Sequence, residues 1–315
     1  MRYIYFTALW TLLSLLVFRQ LQAQSTVGLL SYDTERVFAG YNLVYPHNQS
    51  TAYLLDNCGQ IVHDWPDEDN WRPGNSVYLT DEGNLIKCKR ENVSINDPIW
   101  AGGGGAIVEV RSWDNELLAS FERNDSLYRL HHDVAPMPNG HILMIAWENQ
   151  SYEAAVTAGR NPATLAQDKL WSEVIWEWDP VADTIVWEWR VGDHLVQDFD
   201  ATKANFGDVG AQAGRIDINY DEHDGHPDWL HMNAVSYNPV LDQIIMSVPY
   251  FNEVWIIDHS TNTVEAASTS GGLSGRGGDL LYRFGNPATY RQGTADDQKL
   301  AFQHDCKWVN PAALP

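Results

Sequence analysis

Residues 132–145 read HDVAPMPNGHILMI: a short alternating run, an Asn139-Gly140 pair, then an aliphatic return. Asn-Gly between two such runs is the strongest short-range hairpin signal, because the favoured two-residue turn needs positive φ at both central positions. The same grammar recurs. Asn75–Lys87 (NSVYLTDEGNLIK) turns at Glu82-Gly83, and His231–Val248 (HMNAVSYNPVLDQIIMSV) turns around Asn238-Pro239. A second kind of hairpin follows each, often with Trp and a turn near Asp: Ala106–Phe121, Val174–Trp189 and Val254–Ala267. Ala52–Trp65 is an earlier piece of this second kind.

Two alternating hairpins give four strands per repeating unit. That predicts an all-β fold, a β-propeller of four-stranded blades occupying residues 24–315. A β-sandwich shares the turns, but the alternation of hairpin types disfavours it. Helical periodicity is weak except around Pro162–Leu170. The Trp-x-Trp pairs (Trp176, Trp178, Trp187, Trp189) read as packing between blades. Insertions near Glu148–Ser172 and Val191–Trp229 read as long rim loops, the usual carriers of function. The units number about three and a half to four. The last opens at Gln303-His304 and lacks its return strand, so the chain reads as C-terminally truncated.

Of 315 residues, 42 are acidic and 20 basic, giving a net charge of −22. Such a surface argues against nucleic acid or anionic membrane as partners, since both require a basic footprint. Arg2, an apolar run from Ile4 to Phe18 and a polar stretch ending at Ala23 read as a signal peptide over residues 1–23, an uncleaved anchor being the other reading. Export to the periplasm or outside the cell follows. There Cys58 and Cys88 are able to pair, leaving Cys306, although spacing alone does not fix the connectivity. Asn48, Asn92, Asn124 and Asn149 each open an Asn-x-Ser sequon.

Aligned on their turns, the hairpins place Asn75 and His132 eight residues before Gly83 and Gly140, with His231 and His304 at the same place by pattern. The first strand of a propeller blade lines the central channel, so these positions converge near the axis. Three imidazoles in one funnel support Zn²⁺ binding with an open position. Alternatively, they receive an anion, one acting as nucleophile and the others as acid, base and charge stabilisers. A non-catalytic binding propeller is the third reading. Trp229, Tyr250 and Phe251 are rim aromatics able to stack on an aryl group. Asp217–Asp221 begins like a calcium loop but has Glu222 for the required Gly and Asp228 for the closing Glu, so it reads as a solvated acidic loop. His223-Asp224-Gly225-His226 is a weak chelate. Gly102–Gly105 and Gly271–Gly278 lack a phosphate-loop ending and read as flexible connections.

His131-His132-Asp133, Asp228–Asn233 (DWLHMN), Gly278–Asn286 (GDLLYRFGN) and Gln303-His304-Asp305 together resemble the bacterial arylsulfate sulfotransferases, over most of residues 40–310. The resemblance implies a six-bladed propeller and an exported enzyme. It moves a sulfuryl group from an aryl sulfate to a phenol by ping-pong transfer, without a nucleotide sulfate donor (PAPS), a metal or another cofactor. It further implies His304 as the nucleophile that becomes sulfohistidine. His132 and His231 would hold the sulfate oxygens and protonate the leaving phenoxide, and Asn233 would add a hydrogen bond. His131 is able to exchange roles with His132, the hairpin register favouring His132. One departure stands out: where the family pattern places an Arg, this chain has Pro249, with Arg283 a candidate to stand in.

Overall fold

A strand reading Ile-Leu-Met-Ile-Ala has no polar face to turn to water, so it must lie between two layers. In the computed structural model, which describes residues 29–67, 71–90 and 99–309, it does. Ile142, Met144 and Ala146 join one hydrophobic cluster, and Leu143 and Ile145 join another. The signal segment 1–23 and the Asn92 sequon lie outside the described residues.

The described residues form two compact units, one of residues 29–44 and 52–64, the other of residues 45–51 and 65–309. The first carries a three-stranded sheet: β1 (Asn42–Val44), β2 (Ala52–Leu55) and β3 (Ile61–Trp65), in that order. The second carries three four-stranded sheets. These are β4 (Arg72–Leu79) to β7 (Leu117–Glu122) through β5 (Leu85–Arg90) and β6 (Ile107–Arg111), and β8 (Tyr128–Pro136) to β11 (Thr184–Arg190) through β9 (Ile142–Ser151) and β10 (Lys169–Asp179). A two-stranded parallel pair follows, β12 (Leu195–Val196) with β13 (Ile216–Asp217). The last sheet is β14 (Ala234–Asn238), β15 (Gln243–Val248), β16 (Glu253–Asp258) and β17 (Tyr282–Phe284). In each four-stranded sheet the strands lie in chain order and pair antiparallel, which is the meander of a propeller blade.

The Trp-x-Trp pairs occupy the places expected of them. Trp176 and Trp178 pack with Ile86, Val108 and Met144, whereas Trp187 and Trp189 pack with Val235, Ile244 and Met246. Neighbouring sheets are thus joined face to face through indoles, which bury large areas at low entropic cost.

Four expectations need correction. The α-helix in the first insertion is α1 (Tyr152–Thr157), entered through a Ser151 side chain that accepts from the Ala154 N–H. Residues Pro162–Thr164 make only a 3-10 turn, and Lys169-Leu170 opens β10. Val254–Ala267 is not a hairpin: after β16 the Asn262/Glu265 capping box starts α2 (Thr263–Ala266), and the return strand waits until Tyr282. All three cysteines are free thiols, Cys88 being buried against the Ser76 hydroxyl at 3.1 Å. The acidic segment is built in rather than solvated: Asp217 is buried, and the Arg160 guanidinium binds Asp221 at 2.9 Å and the Ile218 carbonyl at 2.5 Å.

Candidate functional site

The inner strands do not pair cleanly where the histidines sit. Register shifts between Pro73 and Val77 on β4, and between Leu130 and Val134 on β8, lift three residues off the partner strand. At the centre of each lift stands a left-handed residue, Asn75 (φ 91°) or His132 (φ 49°), and just before β14 His231 has φ 54°. A non-glycine residue pays roughly 1–2 kcal/mol for that conformation. It persists where the surroundings over-determine it, commonly at functional sites. The positions equated by sequence therefore share a backbone conformation, with one exception: in the fourth unit the left-handed residues are Phe302 and Asp305, on either side of His304.

The His132 and His231 rings are 4.5 Å apart at 80°. His304 is exposed, yet close enough that its charge, with that of His231, adds to burial in pushing His132 down to about 3. Each ring has its Nδ1 occupied. His304 Nδ1 lies 3.0 Å from the Phe302 carbonyl, His231 Nδ1 2.5 Å from Asp228 Oδ2, and His132 Nδ1 2.9 Å from His131 Nδ1. No Nε2 of these three has a hydrogen-bond partner among the described residues. A carbonyl only accepts, so a neutral His304 carries its proton on Nδ1 and leaves the Nε2 lone pair open. His231 is held likewise by a carboxylate, the pairing that orients a general acid–base.

His131 lies behind this cluster, not in it. Its ring is buried, stacks on Trp147 at 4.0 Å, and reaches Glu173 Oε2 through Nε2 at 2.7 Å. Burial holds His131 well below the ordinary imidazole value and Glu173 well above the ordinary carboxyl one. Trp147 also donates its indole N–H to Asp228 Oδ1 at 3.1 Å. Beneath His132 the glycine run is a packed floor rather than a flexible connection. The His132 N–H donates to the Gly103 carbonyl at 2.8 Å, and a Cβ on Gly103 would fall 2.0 Å from His132 Nε2.

The segment bearing His304 is tied down on both sides. Asn233 Nδ2 donates to the Gln303 carbonyl at 3.0 Å, and Gln303 Nε2 donates to the Glu253 carbonyl at 2.6 Å. Lys307 donates to Asp133 Oδ2 at 2.9 Å and to the Tyr78 hydroxyl at 2.8 Å. Asn233 thus holds the backbone beside His304, and its buried Oδ1 has no partner. Tyr250 stacks on His231 at 4.9 Å and faces Phe302 at 6.1 Å, so an aromatic wall borders the cluster. Trp229 and Phe251 do not join it: both are core side chains, with the Trp229 indole bonded to the Tyr220 carbonyl. Pro249 opens a buried 3-10 turn. Arg283 does not stand in for the missing Arg, because its donors go to Glu253, Thr289 and the Ala213 and Arg215 carbonyls. Among the described residues no group of three or more His, Cys, Asp or Glu is arranged to hold a metal ion, and no helix is long and apolar enough to cross a membrane.

Sequence reasoning missed Glu173, Asp228, Trp147 and Gly103. An acidic residue directly before the apolar Val174-Ile175-Trp176 run of β10, and a carboxylate three residues before His231, were the available signals for the first two.

A family model described as Arylsulfotransferase (ASST) matches residues 31–282. No curated protein matches the chain. Among solved structures it is similar to hydrazine synthase of Kuenenia stuttgartiensis (14% identity, TM-score 0.43, covering 78% of this chain and 59% of that one). It is also similar to a protein of unknown function from Bacteroides caccae (11%, TM-score 0.38, 77% and 56%) and to the Dos1 propeller (9%, TM-score 0.38, 70% and 43%). The chain spans about half the length of these structures.

Proposed function

Since the chain belongs to the arylsulfotransferase family, we propose that it moves a sulfuryl group from an aryl sulfate to a phenolic acceptor in two displacements, through a sulfohistidine at His304. The observation that carries this reading is the trio of unpartnered Nε2 atoms, with the His304 proton assigned to Nδ1 by a carbonyl acceptor. His304 lies beyond the matched residues, so its role rests on that geometry.

In the first displacement the His304 Nε2 lone pair attacks sulfur, the sulfur–oxygen bond to the aryl group breaks, and protonated His231 gives its Nε2 proton to the departing phenoxide. In the second, the acceptor phenol returns a proton to His231 as its oxygen attacks sulfur, and the nitrogen–sulfur bond breaks. Donor and acceptor are both phenols with pKa ~10, so exchange is close to thermoneutral and needs no activated nucleotide. Charge on the equatorial oxygens in the transition state is met by positioned donors, of which His132 is one. Tyr250 and Phe302 supply apolar surface for the aryl ring, and Asn233 acts by holding the His304 segment. Neither a metal nor another cofactor enters these steps. We also propose that residues 1–23 direct export, placing residues 24–315 in the periplasm or outside the cell.

The test is release of nitrophenol from a nitrophenyl sulfate in the presence of a phenol, together with mass spectrometry of the peptide containing His304. No phenol-dependent release and no sulfuryl adduct on His304 would overturn the proposal.

A further inference from the structure

That chemistry leaves unused a buried carboxyl of β10 that lies against the histidine cluster. Glu173 is fully buried, and both its oxygens are engaged. Oε2 lies 2.7 Å from His131 Nε2, and Oε1 accepts the Met232 N–H at 2.9 Å. One carboxyl therefore touches both histidine-bearing turns, through the residue before His132 and the residue after His231. Beyond His131 the chain continues, Nδ1 to His132 Nδ1 at 2.9 Å, and ends at an Nε2 with no partner.

Such a chain has two self-consistent directions, because a neutral imidazole carries one N–H. If Glu173 is a carboxylate, it accepts from His131 Nε2, His131 Nδ1 accepts from His132, and His132 presents a lone pair. If Glu173 is a neutral acid, every bond reverses and His132 presents Nε2–H. Glu173 is fully buried, and its described partners are an imidazole and a backbone N–H, with no lysine or arginine to balance a carboxylate. An uncompensated buried charge is costly, and burial accordingly pushes Glu173 up and His131 down, so the neutral direction is favoured.

We propose that Glu173 is a positioning residue which, through His131, holds the proton of His132 on Nε2, so that His132 meets a sulfuryl oxygen as a hydrogen-bond donor rather than as a base. The catalytic consequence rests on the sulfuryl-transfer reading; the tautomer does not. It also separates the roles of the two adjacent histidines: His231, backed by a carboxylate, exchanges protons, and His132, backed by an acid, donates without titrating.

The experiment reads imidazole tautomers by nitrogen NMR of the substrate-free full chain, alongside steady-state transfer. Expected are an Nε2-protonated His132 and an Nδ1-protonated His131. Glu173→Gln retains this pattern and near-normal kcat, since its amide donates to His131 and its oxygen still accepts from Met232. Glu173→Leu gives mixed tautomers and lowers kcat by ~10–100-fold, the range seen when a metal-bound histidine loses the partner that orients it, with KM changed less. A wild-type His132 protonated on Nδ1, or a Glu173→Leu variant with wild-type tautomers, overturns the proposal. If the wild type transfers no sulfuryl group, the functional reading fails, while the NMR pattern still decides the role of Glu173.

Discussion

Asp228 divides its carboxylate between His231 and Trp147: Oδ2 sits 2.5 Å from the imidazole Nδ1, and Oδ1 accepts the indole N–H at 3.1 Å. The carboxylate is 1% exposed, so solvent does not compete for either contact. Replacing it with Asn keeps an acceptor for the indole but offers His231 an amide, which no longer stabilises an imidazolium. Asp228→Asn is expected to lower kcat by ~10²–10⁴, the range for loss of a general acid–base group, while thermal unfolding stays near wild type. Unchanged initial rates of nitrophenol release would assign Asp228 a purely structural role.

Two residues of the 303–309 segment separate chemistry from anchoring. His304→Ala should form no sulfuryl adduct and turn over no substrate. Lys307→Met should still form one, only more slowly, because it removes the tie to Asp133 and Tyr78 and leaves His304 itself unchanged. Quenched-flow mass spectrometry distinguishes the two, and an adduct in the His304→Ala protein would move the nucleophile elsewhere.

A pair of glycines tests the floor under His132. Gly103 (φ +83°) and Gly140 (φ +85°) share a backbone conformation, so Ala at either is strained alike, by roughly 1–2 kcal/mol. Only at Gly103 does the new methyl meet a ring; at Gly140 nothing lies within 4 Å. Urea unfolding should show a mild loss for Gly140→Ala with full activity. Gly103→Ala should be the less stable and should lose transfer. Equal activities would show that the imidazole placement does not matter.

The sheets β8–β11 and β14–β17 are stapled at their turn end by His259, whose Nδ1 reaches Asp242 at 2.7 Å and Nε2 reaches Glu177 at 2.9 Å, with His141 on the other Glu177 oxygen at 2.6 Å. Burial alone would lower His259, but the two carboxylates outweigh it and hold it above its ordinary value. Burial alone would raise Glu177, and the bonds from His259 and His141 instead hold it at about 2. A raised His contributes stability below its unfolded value of ~6.5 and loses it as pH rises through the folded value. A depressed Glu contributes above ~4.5 and loses it as pH falls toward 2. Stability should therefore plateau between those unfolded values, and His259→Gln should flatten the alkaline limb. A wild-type alkaline limb in that variant contradicts the staple.

Hairpins were legible wherever a turn pair separated two runs, since Gly140 and Gly83 supply the left-handed residue of each turn, while Asn139 and Glu82 do not take the positive φ that a two-residue turn would ask of them. The β16 region was not, because Val264 and Ala266 fit strand or helix equally until the Asn262/Glu265 box is noticed. At the site, His132 and His231 were found because repeat position implies a shared backbone, and both are left-handed. Glu173 and Trp147 were invisible to that logic: they sit on second and third strands, and their value comes from which bulge they lie beneath. Trp229 misled because a tryptophan beside a motif histidine looks available, whereas its indole is buried and bonded to the Tyr220 carbonyl.

The contact between Lys307 and Tyr78 joins residues 229 positions apart, and that between Asn233 and Gln303 joins residues 70 apart. Chain entropy delays such closures until the intervening sheets have formed, because loop cost grows with length and is repaid only on arrival. The histidine cluster should therefore be among the last parts of the molecule to organise during refolding. Recovery of transfer activity would lag recovery of β-sheet circular dichroism, and the protein would report on its own maturation.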